Sequence, residues 1–224
     1  MRDEEGMPVK LEFFILFLTL FFGGCTFSKK TKTIKKLYPS GKLKSEINFK
    51  NGKPDGVGKI WFENGQLKVR GSWKDGKLKG VRKEWYKTGR LKSLGSRDGE
   101  IPVGTQKFWY PNGVQKSESN WEGGKLTGEK KLWYENRQLQ LKSNYKAGKK
   151  HGIEKLWYEN GQLKKESNFI DGKLNGLVKG WYEGGELKTE INYNNGYKHG
   201  YEKQYYQSGK LEREVTYLDG KEVR

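Results

Sequence analysis

The sequence predicts an all-β fold, an elongated single-layer antiparallel sheet of about eight stacked 24-residue β-hairpin repeats. Three observations predict it. A turn landmark recurs at Gly41, Gly65, Gly89, Gly113, Arg137, Gly161, Gly185 and Gly209, every interval being 24 residues. Asn-Gly steps between β-prone runs are strong short-range hairpin signals. The chain is only 33% hydrophobic and has a mean hydropathy of −1.00, yet it is 14% aromatic. That is too little for a globular core but enough for an array in which each unit buries its face against its neighbours.

The first element in chain order is a leader, residues 1–24. A short apolar run, Leu11 to Phe22, follows Lys10 and precedes Gly23-Gly24-Cys25. Twelve residues are too few to span a bilayer and suit a signal-peptide core. Small residues before the chain's single cysteine look like a bacterial lipobox, a resemblance that implies lipid attachment at Cys25. Phe22 departs from the aliphatic residue that pattern prefers, and Asp3-Glu4-Glu5 suits a signal start poorly, which makes Met7 an alternative start. Thr26 after the cysteine, by resemblance to envelope sorting rules, favours the outer membrane of a double-membraned cell. Residues 25–36 read as the lipidated cysteine and a polar, basic tether, and residues 37–224 as the repeat array. A single cysteine excludes a disulfide within the chain.

Within the array a two-residue type I′ turn at Asn64-Gly65 sets Phe62 opposite Leu67, Ile60 opposite Val69 and Gly56 opposite Trp73. Residues opposite each other share a face. One face then carries Phe62, Leu67, Ile60, Val69 and Trp73; the other carries Trp61, Lys59, Lys68 and Arg70. The same arithmetic sets Phe169 opposite Gly152 and Tyr193 opposite Gly176, as if a ring leaned over a residue without a Cβ. A second turn, at Asn51-Gly52, Asp75-Gly76 or Asp171-Gly172, passes the chain to the next hairpin with a register the sequence does not fix.

These residues resemble the MORN-repeat family, and its bacterial MORN-variant branch in particular. The motif that carries the likeness is [Trp/Tyr]-[Tyr/Phe]-x-Asn-Gly-x-Leu-Lys followed by an aromatic and Gly-Lys-x-x-Gly, most complete from Trp157 to Gly176. Lys150-His151-Gly152 and Lys198-His199-Gly200 look like the family's His-Gly step. The resemblance covers residues 37–224 and implies a twisted single-layer sheet. It also implies diverse roles, among them scaffolding, membrane association and, in some bacterial members, an antitoxin label.

Two units drift from the pattern. The third has Arg97 where others have an aromatic, and its second turn reads Asp98-Gly99-Glu100-Ile101-Pro102, with a proline that cannot donate a ladder bond. This predicts local loosening or bending. Arg137 occupies a turn-glycine position, where a positive φ costs on the order of 1 kcal/mol. At the other end, Lys221, Glu222 and Arg224 charge the last edge against edge-to-edge pairing.

Catalytic and metal chemistry is not in evidence. His151 and His199 occupy one repeat position 48 residues apart, which fits a structural role. No Cys/His spacing suits a metal, and no phosphate-cradling loop or nucleophile elbow is found. Glu46, Glu118, Glu166, Glu190 and Glu214 recur in phase and are expected to pair with cross-strand cations. The expectation is no enzyme activity, no cofactor and no metal.

The net charge is +18, and removing residues 1–24, with two basic and four acidic residues, raises it to +20. Export removes nucleic acid as a partner and leaves anionic envelope polymers, acidic headgroups or an acidic protein. The leading function is a non-catalytic envelope lipoprotein whose array is a protein- or anionic-polymer-binding scaffold. A cell-wall or glycan-binding module and an antitoxin-like protein binding a toxin are the alternatives. The candidate binding face is a ladder of Trp61, Trp85, Trp109, Trp133, Trp157 and Trp181. Each has a lysine two residues earlier: Lys59, Lys83, Lys107, Lys131, Lys155 and Lys179. Lys68, Lys92, Lys116, Lys164 and Lys188 are expected directly across the hairpin from five of these tryptophans.

Overall fold

The computed structural model describes residues 30–223; Cys25 and the leader lie outside them. The described residues form one open antiparallel sheet of 19 strands with no helix. Strands consecutive in sequence pair with one another from Thr31–Leu37 to Lys221–Val223. Two strands are interrupted, at His151 between Lys149–Lys150 and Gly152–Trp157, and at Asn175 between Lys173–Leu174 and Gly176–Trp181.

The array begins earlier than the sequence suggested. Residues 31–36, read as tether, belong to the strand Thr31–Leu37, which pairs along its length with Leu43–Lys50. Ile34 sits opposite Ile47 and Lys35 opposite Glu46, so this basic stretch supplies the first strand of a complete hairpin.

The turn at the Asn-Gly step is not the expected two-residue type I′ turn. At Asn64-Gly65 the Phe62 carbonyl accepts from the Gly65 N–H at 2.9 Å and the Phe62 N–H donates to the Gln66 carbonyl at 2.8 Å. This closes a three-residue loop, a type I turn with Gly65 (φ 88°) as the left-handed bulge residue. Asn64 has no positive φ. Its Oδ1 accepts from the Gln66 N–H at 3.1 Å, and its Nδ2 donates to the Lys87 carbonyl of the next repeat at 3.0 Å. The two-residue turn with positive φ at both centres is the second one, Asp75 (49°) and Gly76 (88°), closed by Lys74 opposite Lys77.

This changes the register near each tip by one residue. Trp61 pairs with Leu67, while Ile60 pairs with Val69 as expected, and Lys68 is the residue left over. Phe62 therefore faces Gln66, not Leu67. Away from the tip the predicted pairs hold: Gly56 with Trp73, Gly152 with Phe169, Gly176 with Tyr193. The reason given for those glycines does not hold. A Cβ at Gly152 or Gly176 would meet nothing within 4 Å, but φ is +87° and +86° there. Backbone conformation selects them. The close ring contact lies two residues on, where a Cβ at Gly58 would come within 2.7 Å of Cζ3 of Trp73.

Burial is one-sided. Ile47, Val69 and Val178 are the buried apolar side chains among the described residues, and Ser143 and Ser167 are fully enclosed on the same face. The drifted units keep the fold. Asp98 still pairs with Ile101 across Gly99-Glu100, with positive φ at Gly99 alone, so a type II′ turn replaces type I′ without a register change. Leu91–Asp98 and Ile101–Trp109 are continuous strands on either side of that turn. Arg137 does take the left-handed conformation, at φ 74°.

Candidate binding face

The face opposite the buried one carries a single row of charged residues through the middle of the sheet. The first strand of each hairpin contributes a lysine, from Lys35 and Lys59 through Lys203. The second contributes Glu46, Glu118, Glu166, Glu190 and Glu214, with Arg70, Leu94 and Lys142 as exceptions. Register places each member beside the next: Glu46 by Lys59, Lys59 by Arg70, Arg70 by Lys83, and onward to Lys203 by Glu214. The row is a run of ion pairs at 3.4 Å (Lys35–Glu46), 3.1 Å (Lys107–Glu118), 3.0 Å (Lys155–Glu166), 3.1 Å (Lys179–Glu190) and 3.5 Å (Lys203–Glu214). The pairing expected of the in-phase glutamates is thus found.

The environment of these carboxylates follows from their donors. Burial pushes the Glu118 carboxyl up, but hydrogen bonds from Gln115 and Lys107, with the charges of Lys107 and Lys131, more than offset it and hold it below the ordinary range. Where Lys142 replaces the glutamate, Glu129 stands in. It pairs with Lys131 and, at 2.6 Å, with Lys142, and these donors lower its pKa.

Trp61, Trp85, Trp109, Trp133, Trp157 and Trp181 each follow the row lysine by two residues and are all half-buried. Trp109 and Trp133 line one shallow groove of about 510 Å³ with Asn112, Val114, Gln115 and Arg137. The lysines expected across from the tryptophans are elsewhere. Because of the tip bulge, Leu67 takes that place, and the Lys68 ammonium lies 5.4 Å from the Phe62 ring centre. Lys92, Lys116, Lys164 and Lys188 likewise sit over Tyr86, Tyr110, Tyr158 and Tyr182 at 5.0–5.8 Å. Of the six lysines on the candidate face, Lys107, Lys131, Lys155 and Lys179 are ion-paired, and Lys59 and Lys83 meet no carboxylate.

A second ladder, unforeseen from sequence, runs along the hairpin tips. The tyrosine that follows the first strand of a hairpin donates its hydroxyl to a backbone carbonyl one repeat on: Tyr38 to Trp61 (2.7 Å), Tyr86 to Trp109 (2.7 Å), Tyr134 to Trp157 (2.8 Å), Tyr182 to Tyr205 (2.9 Å). Phe62 is the gap in it. The histidines sit in equivalent pairs, His151 Nδ1 at 3.6 Å from Asp171 and His199 Nδ1 at 3.1 Å from Asp219. Among the described residues no cluster of three metal-ligating side chains is found, and no helix is long and apolar enough to cross a membrane.

The family model described as MORN repeat variant matches residues 30–51, 54–75, 102–122, 150–171, 174–195 and 198–219, more than half of the chain. The chain belongs to the MORN repeat variant family. The two units of the array that the model passes over hold Arg97 and Arg137, the ones that drift in sequence, yet both keep the MORN hairpin register. No curated protein matches this chain. Among solved structures, it is similar to a chain of "Crystal Structure of TcdB2-TccC3" at 13% identity and a TM-score of 0.20, over 83% of this chain and 14% of that one. A likeness at that TM-score carries no argument. A MORN array of this kind is a repeat-based binding scaffold.

Proposed function

We propose that this MORN array is a non-catalytic scaffold which holds an extended anionic polymer on its tryptophan and lysine face, displayed from the cell envelope by a lipid on Cys25. The observation that carries the reading is the combination on one face of a charged row in which Lys and Arg outnumber Glu and of half-exposed rings at a fixed spacing. Neighbouring hairpins are two strand spacings apart, so equivalent groups repeat at roughly 9–10 Å. Charge would set affinity and the rings would set register along the polymer. An acidic protein surface is the other occupant this face suits.

The groove between Trp109 and Trp133 favours a second reading, a glycan-binding module. Asn112 and Gln115 supply amides beside two rings there, the kind of mixed apolar and polar lining that orients a small neutral ligand.

The test is binding of long-chain polyphosphate and of purified peptidoglycan by the wild type and by the Trp109→Ala/Trp133→Ala variant. A loss of at least about tenfold toward polyphosphate, about 1.4 kcal/mol, with modest change in thermal stability supports the first reading. The same loss toward peptidoglycan alone supports the second, and no loss toward either refutes both. The anchor is tested separately: Cys25→Ala should release the protein from the lipid-soluble fraction, and unchanged partitioning would overturn that part.

A further inference from the structure

The charged row contains its own controls. At eight equivalent second-strand positions the repeat pattern places an acid between two lysines, and the three departures differ in kind. Lys142 is neutralised by Glu129, which stands at a position that holds no acid in the other seven repeats. Leu94 removes a charge without adding one. Arg70 does neither. It sits between Lys59 and Lys83 in direct cross-strand register, and none of the three has a carboxylate within ion-pair distance. The next acid in the row, Glu46, is engaged by Lys35 at 3.4 Å. Like charges directly opposite one another on a sheet are destabilising. Three in succession without an ion pair, in an array that pairs most of its row charges elsewhere, make a local concentration of positive charge.

The local shape agrees. Arg70 and Lys83 border a shallow hollow of about 230 Å³ with Ser72 and Val81, on the same face as the row. Ser72 adds a hydroxyl donor two residues from Arg70. The residue at the centre is the arginine, whose planar fork gives two parallel hydrogen bonds to an oxyanion, where a lysine offers a point charge.

From these observations we infer that Lys59, Arg70 and Lys83, with Ser72, form a discrete site for a tetrahedral oxyanion, a phosphate or sulfate group. It deepens the scaffold reading by giving the anionic chain one fixed anchoring point near the start of the array. The guanidinium takes two oxygens, the flanking ammonium groups neutralise the charge, and the Ser72 hydroxyl donates to a remaining oxygen.

The experiment is titration of the full chain with tripolyphosphate, followed by calorimetry, for wild type, Arg70→Glu and Glu166→Arg. Arg70→Glu restores the residue that five of the eight repeats carry, so it preserves the fold; thermal unfolding checks this, and the midpoint should hold or rise. It should weaken tripolyphosphate binding at least tenfold. Glu166→Arg places the same trio between Lys155 and Lys179 and should add a second binding equivalent. Vesicles containing phosphatidylglycerol, set against pure phosphatidylcholine, identify the carrier of the oxyanion. Loss of vesicle binding in Arg70→Glu assigns it to a lipid headgroup, and an effect on tripolyphosphate alone assigns it to a soluble phosphate chain. Wild-type affinity in Arg70→Glu for both probes would overturn the site, leaving only the diffuse charge of the chain. Loss of tripolyphosphate binding in Arg70→Glu, with polyphosphate binding insensitive to Trp109→Ala/Trp133→Ala, would keep the site and refute the tryptophan-face reading.

Discussion

Phe62→Tyr should stabilise the array, because it supplies the one missing rung in the tip ladder. The hydroxyls of Tyr38, Tyr86, Tyr110, Tyr134, Tyr158 and Tyr182 each donate to the carbonyl 23 residues on, at 2.7–2.9 Å. Phe62 occupies the equivalent place between Tyr38 and Tyr86 and leaves the Trp85 carbonyl without that donor. Six equivalent sites show that the geometry accommodates the oxygen, so the substitution adds a hydrogen bond without new strain. A typical net hydrogen bond contributes about 0.5–1.5 kcal/mol, and a rung at this half-buried position about 1. Tyr158→Phe is the converse and should cost about the same, rising toward 3 kcal/mol only where water cannot replace the hydroxyl at the Trp181 carbonyl. Urea unfolding gives the global change. A repeat array need not unfold in one step, so exchange of the Phe62 and Gly65 amides, which close that tip, is the local readout. A gain of 1 kcal/mol slows that exchange about fivefold if it follows the opening equilibrium. If Phe62→Tyr and Tyr158→Phe both leave urea midpoint and exchange unchanged, the hydroxyls gain nothing over water and the ladder is not a stabilising element.

Arg137→Gly should raise stability by about 1 kcal/mol in thermal unfolding, since Arg137 holds φ 74° where a side chain is strained; a fall would show that its packing outweighs the strain. Gly58→Ala should cost about 1–3 kcal/mol, because the added methyl meets the Trp73 ring at 2.7 Å, and a neutral result would mean the ring moves freely. The array should lose stability in acid. The carboxyls of Glu118 and Glu129 are lowered below their ordinary 4.5, so the unfolded chain takes up protons first and stability falls as pH drops below 4.5, measured as urea midpoint against pH. In base the sign is set by Tyr86 and Tyr134, whose hydroxyls burial raises above 10.0. The unfolded chain loses its protons first there, so stability falls as pH rises past 10.0, and a flat profile would contradict the burial of the tip ladder.

The period, the hairpins and the two-faced alternation were legible because they depend on spacing alone. The turn types were not, although one signal was present. Thr88 occupies the place of Asn64 in its repeat, and a β-branched residue at positive φ is an outlier, so a type I′ turn could not hold there. The second-turn slot, by contrast, holds Asn or Asp in five of its eight copies (Asn51, Asp75, Asp171, Asn195 and Asp219) and Gly in two more, residues that tolerate the left-handed region; all take it, as does Ala147 in the remaining one. Register errors followed from this one misreading. Between hairpins the register shifts by two residues, from Phe49 opposite Pro54 to Ile47 opposite Gly58, which leaves every side chain on its face. At the tip it shifts by one. That single step moves Lys68 from Trp61 to the Phe62 ring, and with its copies in four other repeats it strips the tryptophan row of five of the eleven lysines expected around it.

What remains on that face is not uniform, although the repeat pattern suggests uniformity. In a solenoid each position is sampled once per unit, so a departure can be weighed against its own copies. Arg97 and Arg137 depart from the pattern; the Arg97 guanidinium donates to the Glu100 carbonyl at 3.0 Å, and Arg137 accepts a strained φ. Lys142 departs and a neighbouring carboxylate answers it. Arg70 departs and nothing in the described chain answers it, although a glutamate there would extend the run of pairs from Glu46 toward Lys83. Selection for stability alone favours that glutamate, since it would relieve two like-charge contacts at once. The positive trio therefore marks the place where a scaffold built from near-identical units stops being equivalent along its length, and an anion bound there would give the array a direction.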